Sequence, residues 1–204
     1  MNYRDIILKN FGVNAFSHSL FYCYKDSLRF KLSNGGYYID QFITAFKKSE
    51  EICTSVLGDS KIFYVCLSFY GGESFLSSLS RFKNIRKCQI RIPKDYIGWA
   101  EKVADEDDEN CTIYRHFITF EANTNILNIL LWGALSCDLG IKPTLKAKVF
   151  IINREIDTII HPYDDRGMDI VSINYELLKY LYKNFNHYLL DYDREKMDST
   201  VGSL

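Results

Sequence analysis

The chain has 204 residues, a formal net charge of −1, 47% hydrophobic residues, and 15 Tyr and 14 Phe. That length suits one domain, the aromatics supply a core of ordinary size, and the near-neutral charge excludes a strong long-range field for nucleic acid or an acidic membrane. Six cysteines without a Cys-x-x-Cys pair exclude a local zinc motif, and a start at Met-Asn-Tyr-Arg-Asp without a signal peptide predicts reduced thiols in the cytoplasm.

In chain order, apolar residues at Tyr3, Ile6, Ile7 and Phe11 predict a short helix that Gly12 ends. The aromatic stretch Leu20 to Leu32 reads as extended, with a turn at Lys25-Asp26-Ser27, and Ser33-Asn34-Gly35-Gly36 as a loop. Ile39, Phe42, Ile43, Phe46, Cys53, Val56 and Leu57 predict one buried helical face, closed by Gly58. Lys61 to Tyr70 is a buried strand, Glu73 to Phe82 a helix, Cys88 to Ile92 a strand and Tyr96 to Val103 a helix. Cys111 to Phe120 alternates as a strand, and Asn123 or Thr124 caps a helix running to Leu139. That helix is interrupted by Asn128, Gly133 and Asp138 and is too short to span a bilayer.

Val149-Phe150-Ile151-Ile152 is apolar on both faces and belongs in the middle of a sheet. Turns at Asn153-Arg154-Glu155 and Asp164-Asp165-Arg166-Gly167 lead into strands from Ile156 and Met168. Asn174 caps a helix with Leu177, Leu178, Leu181, Phe185, Tyr188 and Leu189 on one side. The expectation is a single α+β domain over residues 1–204, with a mainly antiparallel sheet of about five to seven strands and a C-terminal meander followed by a packing helix.

Three charged segments carry the functional question. Asp164, Asp165, Arg166 and Asp169 form the densest cluster within ordered sequence. Carboxylates there could hold a catalytic metal with His161 or Arg166 beside a phosphate, or bind a partner. The structural reading has them bonding their own turn, with Gly167 at positive φ, Arg166 bridging carboxylates and His161 pairing with the acids. Asp105, Glu106, Asp107, Asp108 and Glu109 form an unbroken acidic run, read as an exposed loop that attracts a basic partner. Arg81, Lys83, Arg86, Lys87, Arg91 and Lys94 could touch phosphates, but without a glycine-rich loop or interleaved exposed aromatics no nucleic-acid partner is expected. Asp191 and Asp193 lack the Gly and terminal Glu of a calcium loop. No cofactor and no membrane partner are expected, and the oligomeric state stays open.

Ile160-His161-Pro162-Tyr163-Asp164-Asp165-Arg166-Gly167-Met168-Asp169-Ile170, Leu178 to Tyr182, and Leu190-Asp191-Tyr192-Asp193-Arg194 resemble the signature of an uncharacterised bacterial family, domain of unknown function 3885. That resemblance implies no chemistry. By type, such small domains are similar to the immunity proteins encoded beside secreted toxins. This implies a cytoplasmic, non-catalytic protein that neutralises a cognate toxin, for instance a nuclease, by stoichiometric binding. On that reading Asp105 to Glu109, Asp164, Asp165, Arg166 and Asp169 contact the partner. The alternatives are a metal-dependent enzyme built on Asp164, Asp165 and Asp169, and an interaction module unrelated to toxins.

Overall fold

A computed structural model describes residues 3–73, 79–103 and 113–202. The elements run α1 (Tyr3–Phe11), α2 (Leu20–Cys23), β1 (Ser27–Lys31), α3 (Tyr38–Leu57), β2 (Ile62–Gly71), α4 (Leu79–Lys87), β3 (Ile97–Val103) and β4 (Ile113–Asn123). They continue as α5 (Leu127–Leu135), β5 (Lys148–Asn153), β6 (Thr158–Asp164), β7 (Gly167–Ser172), α6 (Tyr175–Asn184) and α7 (Arg194–Gly202). The fold is α+β. All seven strands join one antiparallel sheet in the order β1-β7-β6-β5-β2-β4-β3, so β5 is central and β5-β6-β7 is the expected meander.

Both faces of the sheet are covered, which is why β2 and β5 read as continuous apolar runs rather than as alternation. On one face Phe63, Val65, Leu67, Val149, Ile151, Ile160, Met168 and Ile170 pack with Ile52, Cys53 and Val56 of α3, Leu130 and Leu131 of α5, and Leu178 and Leu181 of α6. On the other, Tyr64, Cys66, Phe150, Ile152, Ile159 and Val171 pack with Ile7 and Phe11 of α1 and with Phe16. Gly58 ends α3 at φ +52, where its N–H reaches the Thr54 carbonyl at 2.9 Å. Asn174 caps α6 through the Leu177 N–H at 3.1 Å. The side chain of Asn123 accepts from the Asn125 N–H at 3.1 Å and opens a 3-10 turn ahead of α5, which stops at Leu135 rather than Leu139.

Several local expectations are corrected. Leu20–Cys23 is a helical turn rather than extended chain: Leu20 and Phe21 are fully buried, and the Phe21 N–H is drawn to Asp169 at 3.0 Å. The buried stripe of α3 runs through Phe42, Ala45, Ser49, Ile52, Cys53 and Val56, leaving Ile39 and Ile43 outside. The helix expected over Glu73–Phe82 is described as Leu79–Lys87, with residues 74–78 outside the described set. Cys88–Ile92 is irregular. Its alternating burial of Cys88 and Ile90 comes from a turn with Gln89 at φ 64, not from a strand. Tyr96–Val103 contains β3 instead of a helix, paired with β4 from Ile97↔Thr119 to Val103↔Ile113. Trp99 stacks on Phe117 at 4.8 Å, and the exposed Glu101 and Lys102 are typical of a sheet edge.

Candidate functional site

The Asp164–Asp169 cluster lies on the β6–β7 hairpin. Asp164 pairs with Gly167, with Asp165 and Arg166 between them and a register shift just before, between Pro162 and Asp164. The Arg166 N–H donates to Asp164 Oδ1 at 2.8 Å, and Arg166 Nε donates to Oδ2 at 3.0 Å. Asp165, 2% exposed, accepts from Gln41 in the first turn of α3 and from Ser33 Oγ at 3.5 Å. This ties the hairpin tip to the start of that helix. No residue from Asp164 to Gly167 has a positive φ, which corrects the expectation for Gly167. Its constraint is space: a Cβ there would lie 1.8 Å from Tyr163 Oη and 3.0 Å from the Phe30 carbonyl oxygen.

Asp169 points the other way, into a buried junction. It accepts from Arg29 Nε at 2.7 Å, Arg29 Nη2 at 2.9 Å and the Phe21 N–H at 3.0 Å. Burial raises the Asp169 pKa and Arg29 opposes that rise; burial also works against the Arg29 charge, but its bond to Asp169 keeps the guanidinium protonated. Arg29 Nη1 reaches Asp193 at 3.4 Å, and Asp193 accepts from Tyr22 Oη at 3.0 Å. Arg29 therefore joins the two halves of the C-terminal motif. Sequence reasoning missed it, although an Arg between the core residues Leu28 and Phe30 was a signal. Asp191, by contrast, is exposed and pairs with Arg194 at 3.6 Å.

His161 does not pair with the acids as expected. Its Nδ1–H donates to the Val149 carbonyl at 2.8 Å, its ring stacks on Phe150 at 4.1 Å, and its Nε2 is buried without a partner among the described residues. Burial lowers its pKa to about 3, against the Val149 bond and with help from Lys148. Asp164, Asp165 and Asp169 thus face three different sets of partners. Among the described residues no group of three or more His, Cys, Asp or Glu is placed to hold a metal ion.

What the hairpin presents outward is Arg166, whose side chain is 72% exposed; at the start of α3, which Gln41 ties to Asp165, Tyr37, Tyr38 and Ile39 are exposed at 86%, 68% and 68%. Residues 105–109 lie outside the described set. The described residues flanking them, Val103 and Ile113, pair at the end of the sheet that also carries Gly71, Lys148, Asp164 and Gly167. Of the basic stretch, Arg81, Lys83 and Lys87 line a cleft with Lys146 near that end, whereas Arg86 and Arg91 line a separate groove.

A family model described as Domain of unknown function (DUF3885) matches residues 3–193, most of the chain rather than its last third. No curated protein and no solved structure matches it.

Proposed function

The chain belongs to this family of unknown function, and from that premise we propose that it is a cytoplasmic immunity protein that neutralises a cognate protein toxin by stoichiometric binding, without catalysis. One observation carries the reading: exposed Tyr37, Tyr38 and Ile39 at the start of α3, an element that Gln41 ties to buried Asp165 on the hairpin that exposes Arg166. Tyr and Arg on a pre-ordered surface supply most of the energy in protein interfaces, because they bury large area and lose little freedom. The acidic run at 105–109 would add electrostatic steering of a basic partner on this reading. Asp164, Asp165 and Asp169 then shape the site from inside rather than touching the partner. Among the described residues no helix is long and apolar enough to cross a membrane, which agrees with a binding partner met in solution.

Co-expression with the toxin encoded beside this gene tests the proposal. The chain is expected to restore growth and to form a one-to-one complex. Tyr37→Ala combined with Tyr38→Ala is expected to weaken that complex about tenfold or more while leaving thermal unfolding unchanged. A chain that neither binds nor protects overturns the toxin reading. Binding to a different protein through the same residues would favour an unrelated interaction module.

A further inference from the structure

A cavity of about 340 Å³ opens near the ends of β2, β5 and β6, with Tyr163 in its wall. That volume is at the lower end of small-molecule sites, roughly 300–1,000 Å³. Phe69, Ala134, Val149 and Pro162 give it apolar walls. Arg81, Lys146 and Lys148 also line it, with no Asp or Glu among the described lining residues; Asp138, next to the lining Cys137, is exposed. Among the described residues none of these three cations forms an ion pair. Lys148 spends one of its N–H groups on the Tyr163 carbonyl at 2.9 Å. Such a concentration of like charge raises the local anion concentration.

A polar pair also lines the wall: His18 Nε2 sits 2.9 Å from Tyr70 Oη. Burial, then Arg115 and Lys148, lower the His18 pKa to about 4, so the ring is neutral at pH 7 and offers a hydrogen bond rather than a charge. A second cleft of about 590 Å³ shares Tyr70, Arg81 and Lys146 with the cavity and adds Lys83 and Lys87.

We propose that this cavity binds a nucleoside phosphate, with the base between the apolar walls, its polar edge toward the His18–Tyr70 pair, and its phosphates at Arg81, Lys146 and Lys148. Each part of the ligand answers a separate feature of the site. Inorganic phosphate would leave the apolar walls unused, and a fatty acid would place no polar group at the His18–Tyr70 pair. Lys83 and Lys87 extend the cationic track for a chain of more than one phosphate.

Titration calorimetry at low salt with adenosine 5′-triphosphate, inorganic triphosphate and adenosine tests this on the full chain. Adenosine 5′-triphosphate is expected to bind saturably, about tenfold or more tighter than either fragment. Arg81→Gln with Lys146→Gln is expected to weaken it by about tenfold or more, with an unchanged unfolding temperature. His18→Phe removes the polar contact and is expected to weaken adenosine 5′-triphosphate but not inorganic triphosphate. Absence of saturable binding, equal affinity for the nucleotide and inorganic triphosphate, or wild-type affinity in the double-charge variant would each overturn the proposal.

Discussion

Gly167 and His161 show how single positions in the C-terminal motif act through packing. The Tyr163 ring lies across the backbone of Gly167, so any Cβ there meets the phenol at 1.8 Å. Gly167→Ala is expected to destabilise the domain by about 1–3 kcal/mol in urea unfolding, the usual cost of overpacking. In the Tyr163→Ala background that cost should shrink, because the two residues share the clash; strictly additive losses would contradict this account. His161 gives a pH signature. Its folded pKa of about 3 lies below the ordinary 6.5, so between those values the unfolded chain binds more protons. Its stabilising contribution is complete above about pH 6.5 and is lost on acidification, by about 1.4 kcal/mol per pH unit for a single fully buried group. His18 shifts in the same direction but is only half-buried, so His161 dominates. Unfolding free energies at pH 7 and pH 5 are expected to differ by roughly 2 kcal/mol more in the wild type than in His161→Asn. An equal difference would mean that His161 is not the titrating group.

At the level of elements, Arg29 on β1 ties β7 through Asp169 to the turn before α7 through Asp193. Removing one member of a buried ion network leaves the others uncompensated, so Arg29→Met is expected to cost about 3–5 kcal/mol. Thermal unfolding should show that loss, and Arg29→Met joined with Asp169→Asn should recover part of it. A wild-type melting curve for Arg29→Met would remove the junction from the stability of the fold. Its elements were legible where burial on both faces wrote a continuous signal: β2, β5, the meander and α6 follow from Phe63–Phe69, Val149–Ile152 and the Asn174 cap. They were illegible where one exposed face weakened the pattern. β3 is an edge strand whose Ala100, Glu101 and Lys102 also suit a helix, and pairing with β4 decided the outcome. Cys88–Ile92 had the alternation of a strand without a neighbouring strand to bond. Asp164 bonds its own turn and Arg166, as the local sequence suggested, whereas the roles of Asp165 and Asp169 turned on partners distant in sequence, Gln41 and Arg29, which no local pattern announces.

For the whole molecule, a net charge of −1 conceals an arrangement in which one end of the sheet carries the hairpin tip, a cationic cavity and the strands that lead into and out of an acidic run. Apolar and charged parts of such a surface act on different steps of association: exposed charges steer the encounter, and buried aromatics hold the complex. The most direct measurement is therefore the association and dissociation kinetics of the chain with the proposed toxin partner, at two ionic strengths. Replacing Asp105, Asp107 and Asp108 with Asn is expected to slow association about tenfold at low salt and to change dissociation little, with the difference shrinking at high salt. Replacing Tyr37 and Tyr38 with Ala is expected to speed dissociation about tenfold and to leave association nearly unchanged. Wild-type association and dissociation rates in both variants would contradict a binding surface at this end of the sheet.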